Sequence, residues 1–80
     1  MSQAAEDLLS VVRLLVDDPR AAEVVESEPE GRVRLDLRIA EGDRGKVIGR
    51  RGRTIDALRS LARVRGEREG RGHDVELLED

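Results

Sequence analysis

Residues 45–55, GKVIGRRGRTI, place Lys46, Arg50, Arg51 and Arg53 among three glycines in eleven positions, with no acid. Cations at this density suit a polyanion. A guanidinium matches phosphate oxygens through a planar fork, and an ammonium adds a point charge. Gly49 and Gly52, three apart, admit positive φ and let a ligand come within contact distance of the main chain. A helix beginning just after them would aim its unpaired first N–H groups and positive dipole end at the same spot. Together these residue types can clamp a phosphate backbone.

The chain around this stretch is acidic, with a net charge of −3. Residues 1–30 sum to −6, residues 31–71 to +7, and residues 72–80 to −4. Charge sorted this way predicts one basic face on an otherwise acidic body. Other chemistries find little support. With no cysteine there is neither a disulfide framework nor a thiolate metal site. His73, the one histidine, lacks partners at metal-ligand spacing and suits a turn or strand edge. Ser10 and Ser60 have no histidine arranged beside them, and the Asp17–Asp18 and Glu79–Asp80 clusters read as solvated ends. The Gly-Lys pair of GKVIG lacks the following Ser or Thr of a P-loop. The expectation is a binding protein with no catalytic residue, metal or cofactor. No basic leader with an apolar stretch opens the sequence, and no segment approaches the ~18 apolar residues of a membrane span. The expected location is the cytoplasm.

The elements that must position the clamp follow from periodicity. The 80 residues suit one domain, and its core must be built from Leu, Val, Ile and Ala because the chain has no aromatic residue. From about 4 to 16, Leu8, Val11, Val12 and Leu15 fall on one helical arc, extended by Leu9 and Val16, while Leu14 lies off it. Asp17-Asp18-Pro19 ends that helix. Val24 and Val25 mark a short edge strand before a turn at Pro29 and Gly31. In RVRLDLRIA, Val33, Leu35, Leu37 and Ile39 alternate with Arg32, Arg34, Asp36 and Arg38, a strand with one buried and one wet, mostly basic face. EGDRGKVI predicts one or two helical turns with Asp43 as cap and Val47 and Ile48 buried. A longer helix is expected from about Arg53 to Arg65, with Ile55, Leu58, Leu61 and Ala62 inward, flanked by Ala57 and Val64. It should fray or stop at Gly66, because glycine costs a helix about 1 kcal/mol. GEREGRG reads as a loop, and Val75 and Leu77 mark a last strand. The order is α-β-β-α-α-β, an α+β fold with a three-stranded mixed sheet covered on one face by helices. Its last two strands run parallel across a helical crossover.

Within this order, VIGRRGRTI resembles the signature of the KH domain, an Ile-Gly-x-x-Gly-x-x-Ile core, with Ile48, Gly49, Gly52 and Ile55 at the four diagnostic positions. In that family the GXXG loop clamps about four nucleotides of backbone. The element order resembles the type II, bacterial form, and the length is similar to small single-KH RNA-binding proteins of the KhpA type. The resemblance spans nearly the whole chain. It implies a single KH domain over residues 1–80, with a core of about 20–80 preceded by the helix of about 4–16. It also implies single-stranded RNA contacts at Lys46, Val47, Ile48, Gly49, Arg50, Arg51, Gly52, Arg53 and Ile55. Bases would rest on aliphatic side chains, for which Val47, Ile48, Ile55 and Leu58 are candidates for either groove or core. Arg68 and Arg71 are either solvated or within reach of RNA.

Beyond the domain itself, the resemblance implies RNA chaperone or regulatory activity tied to cell division and envelope growth. It further implies self-association and pairing with a larger KH-containing protein of the Jag type. The residues alone leave two rivals open and disfavour a third, a helix-turn-helix DNA binder, which needs a longer first helix than DRGKVI supplies. A phosphate clamp does not read a 2′-OH, so single-stranded DNA would serve, and a KH scaffold can act as a protein–protein adaptor.

Overall fold

The computed structural model of the chain describes residues 1–79. Helix α1 spans Gln3–Leu15, strand β1 Glu23–Ser27, strand β2 Val33–Arg38, helix α2 Arg44–Ile48, helix α3 Arg53–Arg68 and strand β3 His73–Leu77. Short 3-10 turns at Pro19–Ala21, Pro29–Gly31, Glu41–Asp43 and Arg50–Gly52 link them. The sheet order is β1-β2-β3. β1 pairs antiparallel with β2 (Val24 opposite Leu37) and β2 pairs parallel with β3 (Leu35 opposite Val75). This is the expected α+β arrangement of a type II KH fold. α2 and α3 form the crossover that a parallel β2–β3 pair requires.

Strict alternation in β2 explains its central place. Val33, Leu35 and Leu37 are fully buried and belong to one hydrophobic cluster with α1, α2 and α3, while Arg34 and Arg38 face water. The α1 stripe differs from expectation at both ends. Leu8 and Val12 are buried and Leu9 and Val11 partly so, but Leu15 is exposed, and Ala4 and Ala5 are buried instead. The first turns of α1 carry the packing. The Ser2 hydroxyl accepts the Ala5 N–H (3.1 Å), and the Ser2 N–H donates to the Glu26 carboxylate of β1 (2.9 Å). Leu14 is 86% exposed, as its position off the stripe predicts.

α3 continues past Gly66, where sequence propensity placed its end. The residue is buried because it packs against the start of β3. A Cβ there would lie 2.6 Å from the Arg71 carbonyl oxygen and would overlap the His73 ring. Glycine weakens the helix locally but allows helix and strand to touch. The helix then closes through Gly70 at φ 73°, with Arg71 N–H bonded to the Gly66 carbonyl (2.9 Å) and Gly70 N–H to that of Glu67 (3.2 Å). This paired closure is the Schellman arrangement. On α3, Ile55, Leu58 and Ala62 are buried and Leu61 partly so, but Ala57 and Val64 are exposed, so the apolar face is narrower than expected. His73 opens β3 and is buried beneath the closing turn, its Nδ1 3.2 Å from the Arg71 carbonyl oxygen.

Gly66→Ala should therefore lower stability although alanine is the better helix former. Overpacking costs of about 1–3 kcal/mol exceed the propensity gain of about 1 kcal/mol. A thermal melt of the variant at or above the wild-type temperature would contradict this packing.

Candidate nucleic-acid interface

Between Ile48 and Arg53 the chain reverses in four residues, Gly49-Arg50-Arg51-Gly52, and this turn departs from ordinary backbone geometry three times. Gly49 stands at φ 75°, ψ 172°, a region occupied in practice only by glycine. Gly52 is left-handed at φ 73°, ψ 14°, and so is Arg51 at φ 58°, ψ 25°. For an arginine that conformation costs on the order of 1 kcal/mol, a strain typical of binding loops. The two glycines are needed for different reasons. A Cβ on residue 49 would fall 2.7 Å from the Thr54 Cβ and 2.9 Å from its amide nitrogen, whereas one on residue 52 would meet only the Ile55 side chain at 3.9 Å. Gly49 thus supplies both a backbone angle and the space into which α3 seats its first turn. Thr54, which sequence reasoning passed over, is the residue that occupies that space.

The turn uses two of its own donors. Gly52 N–H bonds the Gly49 carbonyl (3.2 Å) and Arg53 N–H that of Arg50. The amides of Arg50 and Arg51 bond no protein acceptor among the described residues, so they remain for a ligand. Beneath the turn, Val47 and Ile55 are buried in the core, and so is Leu58. These three anchor the loop, which gives them to the core. Ile48 differs from expectation. It is 36% exposed rather than buried, because a five-residue helix has one inward position, which Val47 fills. Ile48 thus leaves an apolar surface directly beside Gly49.

Ion pairs sharpen the electrostatic picture. The wet face of β2, read as basic, is charge-paired. Arg32 meets Asp74 (2.9 Å), Arg34 meets Asp36 (2.7 Å) and Arg38 meets Glu23 (3.3 Å). Asp74 is held below the usual carboxylate range by its hydrogen bonds from Arg32. Arg65 pairs with Asp7 (2.9 Å) and Arg71 with Glu28 (2.7 Å), so Arg71 already has an acidic partner. Lys46 pairs with Asp17. By contrast, Arg50, Arg51 and Arg53 are exposed and have no side-chain partner among the described residues. Arg13, Arg20, Arg63 and Arg68 also lack an acidic partner among the described residues, but only the turn brings three such cations together within four positions.

Farther along α3 than the turn, an open groove runs between the helix and the free edge of β3, with Glu67, Asp74 and Glu76 among its lining residues. Arg59 and Arg63 line it from the helix, and His73 and Val75 from the strand. Arg59 Nε lies 3.4 Å from the Val75 carbonyl oxygen, so its charge reaches the strand edge. The helical period places Arg59 and Arg63 only on the wet side of a helix. Their relation to β3 depends on the crossover, which no local pattern reveals.

Asp43 holds the other side of α2. It sits at the expected cap position but makes no cap hydrogen bond. Its buried carboxylate instead accepts the N–H groups of Asp17 and Asp18, each at 3.0 Å, fixing the chain where it leaves α1. Those two amide bonds hold its pKa below the usual carboxylate range.

The chain matches the family described as KhpA/KhpB, KH domain, over residues 5–77. Among curated proteins it is similar to the RNA-binding protein KhpA of Leifsonia xyli, 43% identical over 95% of this chain and 97% of that one. The RNA-binding protein KhpA of Chlamydia trachomatis is 35% identical over 94% and 96% of the two chains. The Bacillus subtilis protein of that name is 33% identical over 96% of each. No solved structure matches.

Two outcomes test this geometry. Gly49→Ala should destabilise the domain more than Gly52→Ala, since only the former adds a clash to the backbone strain; equal melting temperatures would refute the packing against Thr54. A carboxylate with a depressed folded pKa stabilises above its unfolded value and loses that contribution as pH falls through the folded one. Asp43→Asn should therefore melt at a lower temperature at pH 7, and differ less from wild type as pH falls below about 4. A constant difference across that range would argue against the ionised anchor.

Proposed function

The chain belongs to the KhpA/KhpB KH-domain family, and from that membership and the geometry of the turn we propose that it binds single-stranded RNA. The backbone of about four nucleotides lies along the Gly49–Gly52 turn and continues toward the groove between α3 and β3. The observation that carries this reading is the set of three guanidiniums, at Arg50, Arg51 and Arg53, without an acidic partner among the described residues, where most of the other bases are paired. Gly49 and Gly52 bring the phosphates to the main chain, the free amides of Arg50 and Arg51 meet them, and the guanidiniums supply charge. Ile48 offers an apolar contact to the first base, and Arg59 and Arg63 extend the path along β3. Lys46 contributes less than its position suggests, because Asp17 already faces it.

The role is binding rather than catalysis, as an RNA chaperone or post-transcriptional regulator in the cytoplasm. No helix among the described residues is long and apolar enough to cross a membrane. One clamp of this size binds weakly, so avidity through a second copy or a larger KH-containing partner of the Jag type completes the proposal. Exposed Leu14 and Val64, on helices α1 and α3 that pack together, are apolar surface that favours such pairing.

Arg50→Asp combined with Arg51→Asp should abolish RNA binding while leaving the circular dichroism and melting curve close to wild type, since neither side chain has a partner to lose. Wild-type affinity should fall with salt as counterions are released, by a slope of about −0.7 per phosphate contacted on a single strand. Retained affinity in the double variant would refute the clamp. Equal affinity for matched DNA and RNA oligonucleotides would show that the 2′-OH is not read.

A further inference from the structure

The acidic turn that follows α1 reaches the basic stretch through one specific contact, to Lys46 on α2. Asp17 Oδ2 is hydrogen-bonded and ion-paired to Lys46 Nζ, the one cation of the basic stretch with an acidic partner among the described residues. Lys46 lies on α2, three residues before Gly49, and the Gly49 N–H continues that helix by bonding the Gly45 carbonyl (2.9 Å). Asp17 is not a drifting surface acid. Its backbone N–H, and that of Asp18, are held at 3.0 Å by the two oxygens of Asp43, which is only 3% exposed. Pro19 follows directly and limits the backbone freedom of the turn. The Asp17 side chain itself remains 81% exposed, and that of Lys46 46%, so the pair can open without unfolding anything.

The geometry points to Asp17 as a built-in competitor for the clamp, its carboxylate occupying Lys46 in the place of an RNA phosphate. This inference rests on the clamp reading and refines it. A carboxylate and a phosphate present similar anionic oxygens to an ammonium. Lys46 joins the bound state only when a phosphate displaces Asp17, and each such displacement sets one exchanged ion pair against another. The net gain is small, which keeps the affinity of a single domain low. The hydrogen bond that Lys46 donates to Asp17, with the nearby carboxylates of Asp17 and Asp43, raises the lysine pKa above its ordinary value, so the paired Lys46 is charged at neutral pH. The buried anchor Asp43 is the positioning residue, because it places the competing carboxylate.

The test is a double-mutant cycle in the full chain, with a fluorescent single-stranded RNA oligonucleotide titrated at several salt concentrations. Asp17→Asn should tighten binding about three- to tenfold at low salt and steepen the salt slope by about 0.7, the signature of one added phosphate contact. Lys46→Gln should cost more affinity in the Asp17→Asn background than in the wild type, and should return the slope to the wild-type value. Equal costs in both backgrounds would show that Asp17 acts only as a distant charge, and would overturn the competitor. So would a slope unchanged by Asp17→Asn. Arg50→Asp with Arg51→Asp, titrated in parallel, reports on the clamp itself. If that pair abolishes binding while Asp17→Asn has no effect, the competitor falls and the clamp stands; absence of RNA binding in every variant overturns both. Melting curves of Asp17→Asn should match wild type, because the anchoring bonds to Asp43 come from the main chain.

Discussion

The seating of α3 against Gly49 is the contact on which the rest of this small fold depends. With φ at 75° and ψ at 172°, the chain turns from α2 into α3 with no side chain in the way, and Thr54 fills the space a Cβ would need. Because the first turn of α3 closes onto the loop, Ile55 and Leu58 reach the core beside Val47. The crossover can then return β3 parallel to β2. Loosening this contact would affect the sheet and the loop together, so the backbone shape of the turn is tied to stability, whereas its exposed guanidiniums are not. The left-handed arginine at position 51 reflects the same demand, since its backbone is bent to complete a turn with few residues to spare.

Charge in this protein is organised by cancellation. The sheet surface, the α1–α3 seam and the turn around Glu28 each join a guanidinium to a carboxylate. Exposed pairs of this sort contribute little to stability, and their larger effect is on the field. They leave most of the surface electrically quiet and concentrate net positive potential where Arg50, Arg51 and Arg53 stand alone. An acidic chain can therefore attract a polyanion at one place without gathering it everywhere.

Much of this was legible in the residues. The alternation of β2, the short apolar edge strand and the order of elements all follow local patterns, and the GRRG turn announces itself through glycines at a spacing few other structures need. What escaped were relations between distant segments. Ile48 fits a buried pattern, but a helix as short as α2 has a single inward position, and Val47 fills it. Asp43 sits where a cap belongs, yet its partners arrive from twenty-five and twenty-six residues away. Gly66 is a helix breaker by propensity, and only the approach of β3 explains why the helix tolerates it. Lys46 belongs to the basic stretch by sequence and to an ion pair in space. In each case periodicity specified the face of an element but not what would lie against it.

The close seating of α3 on β3 at Gly66 has a consequence for the ligand. With helix and strand touching at one end and the core holding them apart at the other, the width of the groove between Arg59 and the β3 edge is set before anything enters it. On the proposed reading, a strand entering there meets a helix and a β-strand already packed together at Gly66, and the ordering cost falls mainly on the nucleic acid, which favours strands already unstacked over those held in a duplex.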